Sequence, residues 1–185
     1  PLIEEVDEII VATGVVPRKP EINGIDHESV VSYQEIFEGK TIATENVVII
    51  GGGGVACDLA ILLKEKGVKT ITLLQRGKAF ARGIGKTTRW ATLMELKIKQ
   101  VAMIGGISEY KKIEDNKLSF LMGGEERSIA ADLFIYASGL VSLNHLYNSL
   151  KERGKPVHII GGAREASELD AKQAIYDGTL LGRQI

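Results

Sequence analysis

The sequence predicts an α/β fold that combines a parallel β-sheet with an antiparallel β-meander. The first indication is residues 46–50, a short and wholly apolar run that is typical of a parallel strand buried on both faces. The second is segment 55–66, where leucines recur at helical spacing before Gly67, and the third is a strand over 69–74. Together the three segments predict one compact βαβ unit.

Two short elements are predicted ahead of this unit. Residues 6–12 are rich in β-branched side chains and predict a buried strand. The prolines and glycines that follow predict irregular structure up to about Ser32. Ser32 and Glu35 have the spacing of a capping box, which predicts a short helix that ends at Phe37.

The chain after the βαβ unit predicts a helix, a meander and a return to α/β alternation. Residues 88–97 have apolar side chains at helical spacing. Turn signals separate the β-like runs that follow, so much of this segment is predicted to be an antiparallel meander. The runs cover residues 99–104, 106–113, 117–122 and 126–130, and the later elements are a strand over 133–137, a helix over 143–153, a strand over 157–160 and a helix over 168–182.

A glycine-rich turn joins the first strand of the βαβ unit to its helix. Its pattern is Gly51-x-Gly53-x-x-Ala56, in which the first glycine permits a tight turn and the second lets a pyrophosphate approach the backbone. The small side chain at 56 lets helix and strand pack closely, and the helix N-terminus offers N–H groups and partial positive charge. This context predicts a Rossmann-like dinucleotide-binding site that also includes Gly52 and Gly54.

The end of the second strand of the βαβ unit indicates which coenzyme is bound. An NAD site usually has Asp or Glu there for the ribose 2′-hydroxyl, whereas Arg suits the 2′-phosphate of NADP. Here the strand ends at Gln75 and Arg76, with Lys78 and Arg82 close behind and no carboxylate within 74–82. NADPH is therefore favoured, and NADH stays possible.

Composition and charge argue against several other classes of protein. The formal net charge is −1 and the 23 Lys and Arg residues are scattered, so no nucleic-acid partner is predicted. No apolar run reaches the length of a membrane span. Cys57 is the one cysteine and the three histidines are far apart, so no metal or iron–sulfur site is predicted within the chain. A lone free thiol suits a cytoplasmic location.

Longer motifs match a known family along nearly the whole chain. The most specific are Gly-Lys-Thr-Thr-x-Trp at 85–90 and Glu-Leu-Asp-Ala at 168–171. Others are Ala-Thr-Gly within 6–17, Gly-Ile-Asp-His at 24–27, the turn at 51–58, Leu-Gln-Arg at 74–76 and His-Ile-Ile-Gly-Gly at 158–162. With these motifs the chain resembles the C-terminal region of flavin-dependent 2,4-dienoyl-CoA reductases and related NADH:flavin oxidoreductases of the old yellow enzyme superfamily.

The resemblance implies a larger parent enzyme, and the first residue, which is not Met, also suggests a piece of a longer chain. Such enzymes have an N-terminal TIM barrel with FMN and substrate, a [4Fe–4S] cluster, and C-terminal FAD and NADP domains. NADPH would reduce FAD, electrons would cross the cluster to FMN, and an enoyl substrate such as 2,4-dienoyl-CoA would be reduced. Residues 46–139 would form the NAD(P)-binding domain, and 1–45 and 140–185 would be flanking, partial strips of the FAD-binding domain.

The same resemblance assigns flavin contacts. The turns at Thr13-Gly14 and at Gly161-Gly162 would lie against FAD, and Gly139 would let the nicotinamide approach the flavin. Many related flavoproteins have Asp at the position of Gly162, and that Asp bonds the ribitol of FAD. Gly162 has no side chain and cannot form this bond. No second glycine-rich turn serves the pyrophosphate of FAD, so we expect that these 185 residues alone neither hold FAD tightly nor turn over substrate.

Two alternatives stay open. Relatives of the trimethylamine dehydrogenase type share this architecture but use the equivalent site for a structural adenine nucleotide, which is a non-catalytic role. A free-standing dehydrogenase with its substrate in the meander is disfavoured because no Tyr-x-x-x-Lys pair occurs in 99–130, where Tyr110 directly precedes Lys111. No catalytic acid or base is assigned, since the cofactors would supply the redox chemistry. Substrate and oligomeric state are not predicted.

Overall fold

The computed structural model describes residues 3–40, 44–168 and 171–185. The chain divides into two compact units, of which the larger is 17–139 and the smaller combines 1–16 with 140–185. The predicted α/β class is confirmed. Within the described residues the elements are β1 (Ile9–Val11), β2 (Val15–Pro17), β3 (Val30–Ser32), α1 (Tyr33–Phe37), β4 (Asn46–Ile50), α2 (Gly54–Glu65), β5 (Thr70–Gln75), α3 (Lys86–Ile98), β6 (Ala102–Gly105), β7 (Ile107–Glu114), β8 (Lys117–Met122), β9 (Glu125–Ala130), β10 (Leu133–Tyr136), β11 (Leu140–Ser142), α4 (His145–Lys151), β12 (Val157–Ile159) and α5 (Ala171–Leu181).

The larger unit is built on a five-stranded parallel sheet in the order β3-β10-β4-β5-β6. The sheet is apolar on both faces because both are covered. Val47 and Ile49 pack on one face with the buried side of α2, and Val48 and Ile50 pack on the other with the meander. Residues 47–50 are therefore among the least exposed of the chain, as the wholly apolar run predicted.

The carboxyl ends of β10, β4 and β5 lie side by side at one edge of this sheet. In the register of the sheet, Ile50 is opposite Tyr136 of β10 and Leu74 of β5. Residues that directly follow these three strands are therefore neighbours, although the sequence separates them widely. In open α/β sheets, ligands bind outside the carboxyl ends of strands at such a position.

The meander consists of β7, β8 and β9, which form an antiparallel three-stranded sheet. The predicted run at 99–104 does not belong to it. Ala102–Gly105 instead pairs in parallel with β5 as the edge strand of the central sheet. The prediction of a strand at 99–104 is right in type, but the partner of the strand is set by tertiary packing, which a local pattern does not show.

The smaller unit contains two two-stranded sheets, β1-β12 and β2-β11. The predicted buried strand at 6–12 is only three residues long, and its burial was wrong: Val6 is 41% and Ile10 47% exposed, while Val11 is buried. The reason is that β1 has one partner, the parallel strand β12, in the part of the chain that the structure describes.

The predicted helix at 168–182 is described as Ala171–Leu181, and residues 169 and 170, within the motif at 168–171, lie outside the described residues.

Three short strands were not predicted, and one of them extends the central sheet. Val30–Ser32 lies in a segment predicted to be irregular, yet it pairs with β10 as an edge strand of the central sheet. The larger compact unit begins at residue 17, and the expected domain boundary at 45/46 stays a prediction. The capping box is present as predicted, with Ser32 and Glu35 each bonding the other's backbone N–H at the start of α1.

Candidate functional site

The glycine-rich turn begins where β4 ends. Gly51 has a φ of +148°, and its N–H donates to the carbonyl of Leu74 over 2.7 Å. A Cβ on Gly51 would lie 2.2 Å from the carbonyl oxygen of Ala137, which follows β10. Backbone oxygen cannot move away as a flexible side chain can, so this position requires glycine.

The start of α2 is open to one side, at the Cβ position of Gly53. Its N-cap is Gly53, which supplies no capping side chain, and the first turn of the helix has no acidic residue. The first N–H groups of a helix have no carbonyl partner within it, so they are available to an anion. A Cβ on Gly53 would meet nothing within 4 Å, whereas Ala56 is fully buried between helix and sheet. A ligand can therefore approach the backbone at Gly53.

A cavity of about 310 Å³ lies at this edge of the sheet, and we call it the turn cavity. It brings together residues that follow three different strands. Six of the predicted site residues line it, namely Gly51, Gly52, Gly53, Gln75, Arg76 and Gly139. The other lining residues are Ile50, Gly77, Tyr110, Ala137 and Ser138.

A second cavity of about 490 Å³ adjoins the first on the side of the meander, and we call it the meander cavity. The two share Ile50, Arg76, Tyr110 and Ser138 as lining residues. The meander cavity is otherwise lined by residues 18–22 and by Ser108 and Glu109. Each volume falls in the range of about 300–1,000 Å³ that is common for small-molecule sites.

Gln75 and Arg76 have different roles at the end of β5. The side-chain amide of Gln75 donates to the carbonyl of Ala79 over 2.5 Å, and its Oε1 lies 2.2 Å from the place of a Cβ on Gly52. Gln75 therefore packs against the turn, and its side chain would have to shift to admit a larger residue at 52. The Arg76 side chain has no hydrogen bond or ion pair among the described residues. Its guanidinium is available to a ligand in either cavity.

Four predicted residues of the larger unit line neither cavity, namely Gly54, Ala56, Lys78 and Arg82. The loop after β5 folds back onto the turn, where Ala81 N–H donates to the carbonyl of Gly52 over 2.7 Å and Arg82 forms a β-bridge with Gly53. Ile84 lies 3.3 Å from the place of a Cβ on Gly54. This loop packs against the glycine-rich turn, and its residues 78–84 do not line either cavity.

Several lining residues were missed by the sequence analysis. Tyr110 lines both cavities, and burial raises its pKa while the nearby charge of Arg76 works against that rise. Arg18 donates through its guanidinium to the carbonyl of Ser138 and through its N–H to the carbonyl of Gly139 over 2.9 Å. These residues reach the cavities because of how β7 pairs and because the chain returns to the central sheet at β10. No local sequence motif indicates either arrangement.

Comparison with known proteins places the chain in a family. The model of the family described as pyridine nucleotide-disulphide oxidoreductase matches residues 3–163. The chain belongs to this family. It is 28% identical to a metal reductase of Desulforamulus reducens over 92% of the chain, and 28% identical to a cinnamate reductase of Clostridium sporogenes over 88% of it.

Solved structures of other proteins have the same fold. A 2-naphthoyl-CoA reductase matches 97% of the chain with a TM-score of 0.87 and 26% identity. A 6-hydroxypseudooxynicotine amine oxidase from Pseudomonas geniculata matches 97% with a TM-score of 0.84 at 22% identity, which is a likeness of fold. The chain spans 30% of the metal reductase, 24% of the cinnamate reductase and 27% of the 2-naphthoyl-CoA reductase.

Membership of the pyridine nucleotide-disulphide oxidoreductase family implies FAD and NAD(P)H as cofactors. The turn cavity suits the diphosphate of such a cofactor, because only the backbone borders it at Gly53 and an anion-binding helix start adjoins it. The family name refers to a disulphide, but the one cysteine of the chain, Cys57, is buried in α2. Burial raises the pKa of Cys57 to about 11, which keeps the thiol protonated and unreactive.

The predicted flavin contacts lie in the smaller unit, and several of their polar groups have partners there. The hydroxyl of Thr13 donates to the carbonyl of Leu143, and the carbonyl of Gly14 accepts from the N–H of Leu143 over 3.0 Å. Gly161 N–H donates to the buried carboxylate of Asp177 over 3.1 Å, and Gly162 is buried. The role of these four residues as flavin contacts stays a prediction.

Two further features bear on the function class. The described residues contain no group of three or more His, Cys, Asp or Glu side chains that could hold a metal ion. Among the helices in the described ranges, none is both long and apolar enough to cross a membrane.

Proposed function

We propose that residues 17–139 bind NADPH and position it for hydride transfer to FAD within a multidomain flavoprotein oxidoreductase. The observation that carries the proposal is the meeting of the Gly51–Gly53 turn, Arg76 and Gly139 around one cavity at the carboxyl ends of three parallel strands. NADPH supplies the hydride and FAD accepts it, so the task of these residues is to bind and orient.

The diphosphate of the coenzyme belongs at the start of α2. The N–H groups of the first turn point out of the helix, and the helix dipole adds partial positive charge at this end. With no acidic side chain in that turn and open space above Gly53, two phosphate groups can approach the backbone. Gly51 and Ala137 hold the turn in place through the close contact of their backbones.

The two ends of the coenzyme would then leave the turn in opposite directions. Toward β5, the ribose 2′-phosphate meets Arg76, whose guanidinium can bond two phosphate oxygens at once. Toward β10, the nicotinamide passes Gly139, which has a φ of +117° and the guanidinium of Arg18 against it. Arg18 therefore bounds the nicotinamide end of the cavity.

The proposed parent enzyme reduces an enoyl-type substrate such as 2,4-dienoyl-CoA. Support comes from the names of two relatives, cinnamate reductase and 2-naphthoyl-CoA reductase, whose named substrates have unsaturation conjugated to a carbonyl group. The FMN-binding TIM barrel and the [4Fe–4S] cluster of the proposed parent lie outside these 185 residues. The single buried Cys57 does not fit the four thiolate ligands of such a cluster, so no electron-transfer step is assigned to this chain.

Titration of the purified chain with NADPH, NADH and ADP tests the proposal. We expect NADPH to bind more tightly than either of the others, and Arg76→Gln to lose about tenfold or more of the NADPH affinity, as when a charged hydrogen bond is removed. Arg153→Gln, which removes an exposed charge in the smaller unit, is the control and should change nothing. Tight binding of ADP with no preference for NADPH would support the alternative role as a non-catalytic nucleotide module.

A further inference from the structure

The structure places an acidic residue, Glu109, in the meander cavity, which adjoins the proposed coenzyme site in the turn cavity. The end of β5 has no Asp or Glu, yet Glu109 of β7 lines the meander cavity together with Arg76. Its neighbour Tyr110 lines both cavities, so this part of β7 borders the same space as the β5 end. Two residues of opposite charge, Arg76 and Glu109, therefore line one cavity that adjoins the proposed site of the ribose.

The two charged groups differ in what they already bind. The carboxylate of Glu109 forms an ion pair with Lys111 over 2.6 Å, and its side chain is 52% exposed. The guanidinium of Arg76 has no such partner among the residues that the structure describes. Arg76 is thus available to a phosphate, whereas the negative charge of Glu109 is offset in part by Lys111.

We propose that Glu109 opposes Arg76 in coenzyme selection, so that the pair sets how strongly the site prefers NADPH over NADH. This inference rests on the proposed function. A carboxylate repels the 2′-phosphate of NADPH, which carries nearly two negative charges at neutral pH. The same carboxylate can accept a hydrogen bond from the 2′-hydroxyl of NADH, as the acidic residue of NAD sites does.

The chain offers two matched controls for Glu109→Gln. Glu114 lies on the same strand, forms an equivalent ion pair with Lys112 over 2.6 Å and is 60% exposed, but it lines neither cavity. Glu114→Gln therefore reproduces the loss of a β7 ion pair without a change at the site. Glu21 lines the meander cavity on the side of residues 18–22. Glu21→Gln removes a cavity charge that does not come from β7.

The test measures dissociation constants of the chain and its three variants for NADPH, NADH, 2′,5′-ADP and 5′-AMP at low ionic strength. Glu109→Gln should raise the ratio of NADPH to NADH affinity about two- to fivefold, the size of an exposed charge interaction. The ratio of 2′,5′-ADP to 5′-AMP affinity should rise likewise. Both changes should shrink in high salt, because the Debye length falls to about 3 Å at 1 M.

The outcomes separate this inference from the function on which it rests. If NADPH binds and depends on Arg76, but Glu109→Gln gives the same ratios as Glu114→Gln or Glu21→Gln, the role of Glu109 is overturned and the coenzyme site stands. If the unaltered chain binds none of the four nucleotides, both proposals are overturned. Thermal melting of each variant checks that the fold is intact.

Discussion

Gly51 and Ala137 follow neighbouring parallel strands, and a Cβ on Gly51 would lie 2.2 Å from the carbonyl oxygen of Ala137. Ala137 N–H in turn donates to the carbonyl of Ile50 over 2.9 Å. The ends of β4 and β10 are thereby held at a fixed distance, and both border the turn cavity. The proposed coenzyme site depends on this backbone contact as well as on the turn itself.

Gly51→Ala should destabilise the chain. The new Cβ would collide with a backbone oxygen and would also force an L-residue into a φ of +148°. We expect a loss of at least about 2 kcal/mol in the free energy of unfolding, as for other strained or overpacked substitutions. Urea unfolding followed by circular dichroism measures it. An unchanged midpoint would show that the two strand ends are not held as described.

Gly53→Ala should leave the stability of the chain nearly unchanged but weaken the binding of NADPH. A Cβ at this position meets nothing within 4 Å, and its φ of −77° suits any residue, so the stability should stay near that of the unaltered chain. The methyl group would occupy the space through which a diphosphate reaches the backbone, and NADPH affinity should fall about tenfold or more. Isothermal titration gives the affinity. Full NADPH binding by this variant would contradict the proposed position of the diphosphate.

The part of the site that could be predicted from sequence is the part encoded locally. The turn at Gly51–Gly53 and the β5 end at Arg76 follow from one strand-turn-helix-strand pattern, and the structure brings them to one cavity. Strand type was also readable where a run is wholly apolar, as at 46–50. Such signals depend on residues near one another in the chain.

The parts that the sequence did not predict depend on long-range pairing. Val30–Ser32 is too short to have a strand pattern, and it is a strand because β10 pairs with it. Glu109 reaches the cavity of Arg76 only through the course of β7 after the edge strand β6. No sequence spacing links the strand Val30–Ser32 to β10, or Glu109 to Arg76, because both arrangements depend on how the sheets assemble.

Cys57 should resist alkylation in the folded chain. It is fully buried in α2, and burial raises its pKa to about 11. At pH 8 only about one thiol in a thousand would then be ionised, and the thiolate is the form that reacts. Mass spectrometry after iodoacetamide treatment should show an unmodified native chain and a modified chain in denaturant. Rapid native labelling would contradict the buried position.

Asp177 should make the smaller unit sensitive to acid. Burial acts to raise its pKa, but hydrogen bonds from Gly161 N–H and the Gln173 amide, together with Arg164, lower it below the ordinary value of 3.8. The ionised form therefore stabilises the folded chain above about pH 4, and that stabilisation is lost as the pH falls through the lowered pKa.

Asp177→Asn tests this dependence. Its melting temperature should lie below that of the unaltered chain at pH 7, and the difference should shrink below about pH 4. Glu152→Gln, at an exposed position after α4, provides a control at each pH. A difference that is constant from pH 7 down to pH 3 would show that the charge of Asp177 is not what matters.

The isolated chain should bind FAD weakly. Thr13, Gly14 and Gly161 use polar groups within the smaller unit, and the sequence holds no second glycine-rich turn for the pyrophosphate of FAD. The purified chain should therefore lack the visible absorbance that one bound flavin per molecule would give. Added FAD should be removed by gel filtration. A yellow chain with one flavin per molecule would contradict this expectation.

The most direct test of the coenzyme site is a crystal structure of the chain soaked with NADPH. The diphosphate should lie at the N–H groups of residues 54–56, and the guanidinium of Arg76 should contact the 2′-phosphate. An occupied site elsewhere on the chain, or a turn blocked by one of the chain's own side chains, would contradict the account.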